Sequence, residues 1–120
     1  MQILVVEESE SNRKFISFAL KMQGNKVITA TDGMEALEKL SNNKIDLLIT
    51  ELNLSNIDGY KLIEQISKIK EYKKLPIIVL TTLTKENEIK QGLESGADSY
   101  LLKPFNYKRI QFEVSKYLTN

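Results

Sequence analysis

Four short groups of chemically capable residues punctuate this 120-residue chain: Glu7-Glu8, Glu51-Leu52-Asn53, Thr81-Thr82 and Lys103-Pro104. Each follows directly on an apolar run. Three carboxylates, a hydroxyl and an ammonium in one pocket would make a distinct chemical environment. Like charges repel there, so at least one carboxyl rises in pKa unless a cation neutralises the group. Oxygen ligands without His or Cys suit a hard ion such as Mg²⁺, which keeps several waters and takes few carboxylates. An ammonium and a hydroxyl beside that ion would suit a phosphoryl group or its mimic. The chain has no Cys and no His. That excludes disulfides, thiolate zinc sites, cysteine nucleophiles and His-based catalysis or relay.

For these groups to meet, the chain must bring four strand ends together. The apolar runs are Ile3–Val6, Lys26–Thr29, Ile45–Thr50, Pro76–Thr81 and Ser99–Leu102. Three of them are dense in Ile, Val and Leu with little alternation, as in strands buried on both faces of a parallel sheet. Between the runs lie helical patterns over 10–23, 33–41, 59–70, 85–95 and 106–118, with apolar residues three and four apart. Asp32-Gly33-Met34-Glu35 is spaced as a capping box, Thr84 and Asn106 are plausible caps, and Gly24 and Gly96 stand where helices should end. Strand–helix alternation of this kind predicts an α/β fold, a (βα)5 sheet covered on both faces with right-handed crossovers. In such a sheet the site lies beyond the carboxyl ends of the strands, which is where all four groups fall.

Composition sets the outer bounds. With 42% apolar and 28% charged residues, the chain is ordinary for one folded domain. Apolar runs of about five residues are too short to span a membrane. The net charge of +1 gives no case for binding nucleic acid or a membrane surface. The start, Met1 to Glu8, has no basic region and turns acidic at once, so we expect a cytoplasmic protein. We expect one domain over 1–120 and no output domain. Charge is uneven: residues 1–60 hold six basic and nine acidic residues, 61–120 eleven and seven. Of sixteen acids, twelve are Glu and four are Asp (Asp32, Asp46, Asp58, Asp98).

Five segments, in order, carry a resemblance: Ile3 to Ser9, Asp32 to Leu37, Asp46 to Asn53 with Asp58-Gly59, Pro76 to Thr81, and Gly96 to Phe105. Together they resemble the receiver domain of two-component response regulators, in particular the stand-alone chemotaxis type. The resemblance implies a flavodoxin-like doubly wound sheet of order 2-1-3-4-5 and a phosphorelay signalling switch that is not an enzyme. It implies an acidic pair at Glu7 and Glu8, a phosphoacceptor position at Glu51, and Mg²⁺ held by these three and the backbone carbonyl of Asn53. It assigns switch and phosphoryl-contact positions to Thr81, Tyr100, Lys103 and Pro104. It further implies a sensor histidine kinase upstream. A protein partner would dock on the face of helix four (85–95), strand five (99–102) and helix five (106–118), including Lys90, Gln91, Tyr100, Lys108 and Arg109.

The departure from the family lies at the chemistry. All three pocket acids are Glu where the family ordinarily uses Asp, and Leu54-Ser55 stands where it usually has Met-Pro. One added methylene extends each carboxylate by roughly 1.5 Å. Misplacing a reacting atom by about 1 Å can cost on the order of 10²-fold in rate, and Mg²⁺ tolerates little departure from octahedral geometry. We therefore expect a pseudo-receiver in which Glu51 is a poor phosphoacceptor or none. Two alternatives stay open: a Mg²⁺-dependent receiver with a Glu-adapted site, and a flavodoxin-like cofactor-binding protein. The second needs phosphate donors after strand one, where this chain offers Glu7-Glu8-Ser9-Glu10. Plainer roles also exist for single residues: Glu7-Glu8 as an acidic helix start, Tyr100 as core packing, and the lysines from 68 to 74 as a solvated helix end.

Overall fold

A computed structural model describes residues 1–82 and 96–118. The pattern over 85–95, with Thr84, Lys90 and Gln91, lies outside the described residues. Five strands, β1 (Gln2–Val6), β2 (Lys26–Ala30), β3 (Leu47–Glu51), β4 (Ile77–Thr81) and β5 (Ser99–Leu102), form one parallel sheet. Their order is β2-β1-β3-β4-β5, as the resemblance implies. Four helices are described: α1 (Glu10–Met22), α2 (Gly33–Asn42), α3 (Gly59–Ser67) and α4 (Tyr107–Ser115), which is the fifth helical pattern of the sequence.

The apolar runs become strands because successive residues of one strand feed two cores. Leu4, Val6, Leu48, Ile77 and Val79 pack with Ala36 and Leu40 of α2 and Leu62, Ile63 and Ile66 of α3. Ile3, Val5, Leu47, Ile49, Ile78, Leu80 and Leu101 pack with Ile16, Ala19 and Leu20 of α1 and Ile110 and Val114 of α4. Continuous rather than alternating apolar sequence is what a sheet covered on both faces requires.

Helix starts follow the short polar side chains. Ser9, Asp32, Asp58 and Asn106 each accept the backbone N–H three residues on. The Asp32 box is half formed: Asp32 accepts from Glu35 N–H at 2.8 Å, while the Glu35 carboxylate accepts from the Thr31 hydroxyl. Boundaries differ from the pattern by up to three residues. β3 begins at Leu47, because Asp46 turns its carboxylate to accept the Gln2 N–H at 2.8 Å. Asp98 does the same for the Ile77 N–H at the foot of β4. The stretch after Ser67 breaks into a short 3₁₀ turn, Lys70–Tyr72, whose Tyr72 hydroxyl donates to the Leu40 carbonyl at 3.0 Å. α4 closes at Ser115.

Candidate functional site

Strand register sets the site's coarse geometry. Val6 pairs with Thr50, Glu51 with Leu80, and Thr81 with Leu102. Glu7 and Glu51 therefore emerge at one level, and Thr81 and Lys103 lie one and two levels beyond. The long lysine stem covers that gap. Its Nζ reaches Glu7 Oε1 and Glu51 Oε2, each at 2.8 Å. This three-member cluster is well shielded: side-chain exposure is 1% for Glu7, 13% for Glu51 and 18% for Lys103.

The two carboxyls are unequal. Glu7 accepts from Lys103 Nζ, from the Ser9 backbone N–H at 3.2 Å and from Asn12 Nδ2 at 3.3 Å. Burial pushes its pKa up, but its hydrogen bonds to Glu51, Lys103 and Ser9 outweigh that, and the carboxyl ends below its ordinary value. Glu51 is the worse-served partner. Burial raises it, the hydrogen bond with Glu7 raises it further, and Lys103 only partly opposes them, so it is pushed up to about 7. Below about pH 7 the pair holds one proton, on Glu51, because Glu7 has more donors to keep its charge. Burial works against the Lys103 charge, yet its two carboxylate partners raise its pKa overall.

Glu8 takes another direction. Its Oε1 accepts the Ser55 backbone N–H in the loop after β3. Arg13 pins the backbone of the acidic pair, donating from Nη1 to the Glu7 carbonyl at 2.9 Å and the Glu8 carbonyl at 3.3 Å. Thr81 is buried at the end of β4, and its carbonyl accepts the Lys103 N–H at 2.8 Å. The Lys103–Pro104 peptide is cis. Tyr100 is 36% exposed on β5 rather than packed in the core, and Asn53 is exposed. A cavity of about 500 Å³ beside Lys103 is lined by Ser11, Asn12, Phe15, Thr82, Pro104 and Phe105.

The structure thus brings Glu7, Glu51 and Lys103 together and sends Glu8 elsewhere. Sequence reasoning missed Ser9, Asn12 and Arg13, and marked Ser55 only as a departure in the motif after Glu51. Ser9 caps α1, and Asn12 and Arg13 follow at its start, two, five and six residues past Glu7, a spacing that could have flagged them. Nothing local pairs Ser55 with Glu8, which lies 47 residues away.

The residues present do not fit a divalent cation. Among the described residues no three acidic side chains converge to hold a metal ion. The two that do approach each other already hold an ammonium between them, and Mg²⁺ demands near-octahedral oxygens at about 2.0–2.1 Å.

The site is thus a doubly wound sheet of this order with acids and a lysine at its strand ends. The response regulator receiver domain model matches residues 3–115, and the chain belongs to that family. It is 37% identical over 117 residues to the alkaline phosphatase synthesis transcriptional regulatory protein PhoP of Bacillus subtilis, covering 98% of this chain and 48% of that one. The chain therefore spans about half the length of that curated relative. Chemotaxis response regulator CheY4 of Vibrio cholerae superposes with a TM-score of 0.93 at 32% identity, covering 98% of each chain. The receiver domain of the Pseudomonas aeruginosa sensor histidine kinase PA1611, 27% identical with a TM-score of 0.88, covers 97% of this chain and 95% of its own. That neighbour has a magnesium ion coordinated in its active-site cleft. No helix among the described residues is long and apolar enough to cross a membrane.

Proposed function

We propose that this chain is a receiver-type signalling switch that works by docking on a protein partner without phosphorylation of Glu51. The carrying observation is the Lys103 ammonium clamped between Glu7 and Glu51 at 2.8 Å from each. A phosphoacceptor must present an ionised, correctly placed oxygen in line with the phosphorus, because such transfers depend almost wholly on positioning and charge. Glu51 is held back on both counts. Its carboxyl is pushed up to about 7, so much of it is protonated and a poor nucleophile at neutral pH. Its Oε2 is engaged by Lys103. The cluster also lacks the convergent acids that a metal-assisted transfer uses.

The proposal treats 1–120 as one receiver domain of a cytoplasmic protein, in a pathway headed by a sensor histidine kinase. Docking uses the 85–95 segment, β5 and α4, where Tyr100, Lys108 and Arg109 are exposed. Those residues carry part of the positive charge of the second half, so the partner presents acidic groups. The test is mass spectrometry after incubation with a small-molecule phosphodonor and Mg²⁺, with Glu51→Asp in parallel. Wild type stays unlabelled. Robust labelling of Glu51 would instead establish a conventional receiver with a Glu-adapted site. A flavin absorption band in the purified protein would favour the cofactor-binding alternative.

A further inference from the structure

The loop from Leu52 to Asp58 is held from two neighbouring loops. Glu8, just after β1, accepts the Ser55 backbone N–H. Asp32, just after β2, accepts from Asn56 Nδ2 at 3.0 Å. Asn56 has a φ of +70°, the left-handed region that a short amide side chain tolerates. Behind it the chain runs very close to α2: a Cβ on Gly33 would come within 2.7 Å of the Ile57 carbonyl oxygen. The loop is thus fixed by the chain's own carboxylates and by close packing.

We infer that Lys103 fills the seat between Glu7 and Glu51 that a divalent cation would need, and that Glu8 joins the two loops directly, leaving the pocket closed to Mg²⁺. This rests on the phosphorylation-independent reading of the same site and extends it to the site's cation. The charge arithmetic supports it. Glu7 and Glu51 with Lys103 sum to −1 when both acids are ionised. Adding Mg²⁺ with the lysine in place would leave a net positive, shielded cluster, with two cations a few ångströms apart. Displacing the lysine would strand its ammonium in a site where only 18% of its side chain meets solvent. The third acid already commits one of its oxygens to the Ser55 N–H. Glu8 makes this tie with an arm one methylene longer than that of Asp.

The experiment is a Mg²⁺ titration of the full chain followed by backbone amide NMR, read at Ser9, Ser55 and Lys103. Wild type shows no saturable shift at millimolar Mg²⁺. Lys103→Met vacates the seat and gains saturable shifts; Lys103→Gln serves if the Met variant fails to fold. A saturable wild-type shift overturns the inference. So does a Lys103 variant that stays silent, since the lysine is then not what excludes the ion. Hydrogen exchange reads the tie separately: Glu8→Ala speeds exchange at the Ser55 amide about tenfold, the loss expected for a hydrogen bond to a charged acceptor, and leaves the Gly59 amide unchanged. Equal Ser55 exchange in both proteins overturns that part. Phosphodonor labelling of Glu51 in a chain silent to Mg²⁺ removes the functional reading alone. Saturable Mg²⁺ shifts in an unlabelled chain remove this inference alone.

Discussion

Replacing Glu51 by Gln should flatten the dependence of stability on pH across the neutral range. The folded chain lifts the Glu51 carboxyl, first by burial and then by its hydrogen bond with Glu7, from 4.5 to about 7. In the unfolded chain it ionises near 4.5. Between those values the native state binds more protons than the unfolded state, so stability falls as pH rises. The gap is about 2.5 pH units, and at about 1.36 kcal/mol each that amounts to roughly 3 kcal/mol lost between about pH 4.5 and pH 8. Little screening reduces it, because the side chain is only 13% exposed. The neighbours do not blur the window. Glu7 is depressed, so its contribution is present above its ordinary value of 4.5 and lost only as pH falls below it. Lys103 is raised, so its contribution is full below 10.5 and lost only at higher pH. The chain has no His to titrate between. Urea melts at steps across this range give the answer. With a slope of about 1.5 kcal/mol per molar, the wild-type midpoint falls by about 2 M from acid to alkaline end. The Glu51→Gln midpoint stays level. Parallel pH profiles for the two proteins would refute the claim that Glu51 carries the shared proton.

Gly59→Ala should cost about 1–3 kcal/mol in urea melts, because the new Cβ would sit 2.5 Å from the Glu51 carbonyl oxygen and 2.6 Å from Leu52 Cα, forcing backbone to move. Asp58→Glu should lower stability by about 1 kcal/mol, nearly as much as Asp58→Ala, since the longer arm no longer suits the Lys61 N–H that Asp58 caps; an unchanged melt would show that arm length is irrelevant there. Ile63→Ala, at a fully buried position beneath the sheet, should cost about 2–5 kcal/mol, read by the same melts.

The distribution of Asp and Glu shows how far residue types alone reach. All four Asp accept backbone N–H groups at 2.8–2.9 Å: Asp32 from Glu35, Asp46 from Gln2, Asp58 from Lys61 and Asp98 from Ile77. Short carboxylates cap the chain, and long ones fill the pocket. Asp32 and Asp58 are legible locally, because the capped N–H lies three residues on. Asp46 and Asp98 are not, because their partners lie 44 and 21 residues away. The same limit hid Glu8. Beside Glu7 it reads as half of an ion-binding pair, and only the path of the loop after β3 turns it toward Ser55. Tyr100 reads equally well as core or surface, and its exposure was decided by its being on an edge strand.

By itself the sequence determined that four strand ends would carry the chemistry and that the sheet would be parallel. These follow from local periodicity, caps and the rules of strand–helix alternation, all short-range or topological. It also determined that Glu replaces Asp at all three pocket positions. Only the tertiary structure decided what those longer arms do. Register places Glu7 level with Glu51, and the Lys103 stem then reaches both from β5, 96 and 52 residues away. Which carboxyl keeps the proton depends on burial and on donors from α1, and whether a metal fits depends on where Glu8 finds a partner. Both are sums over contacts that no sequence interval contains.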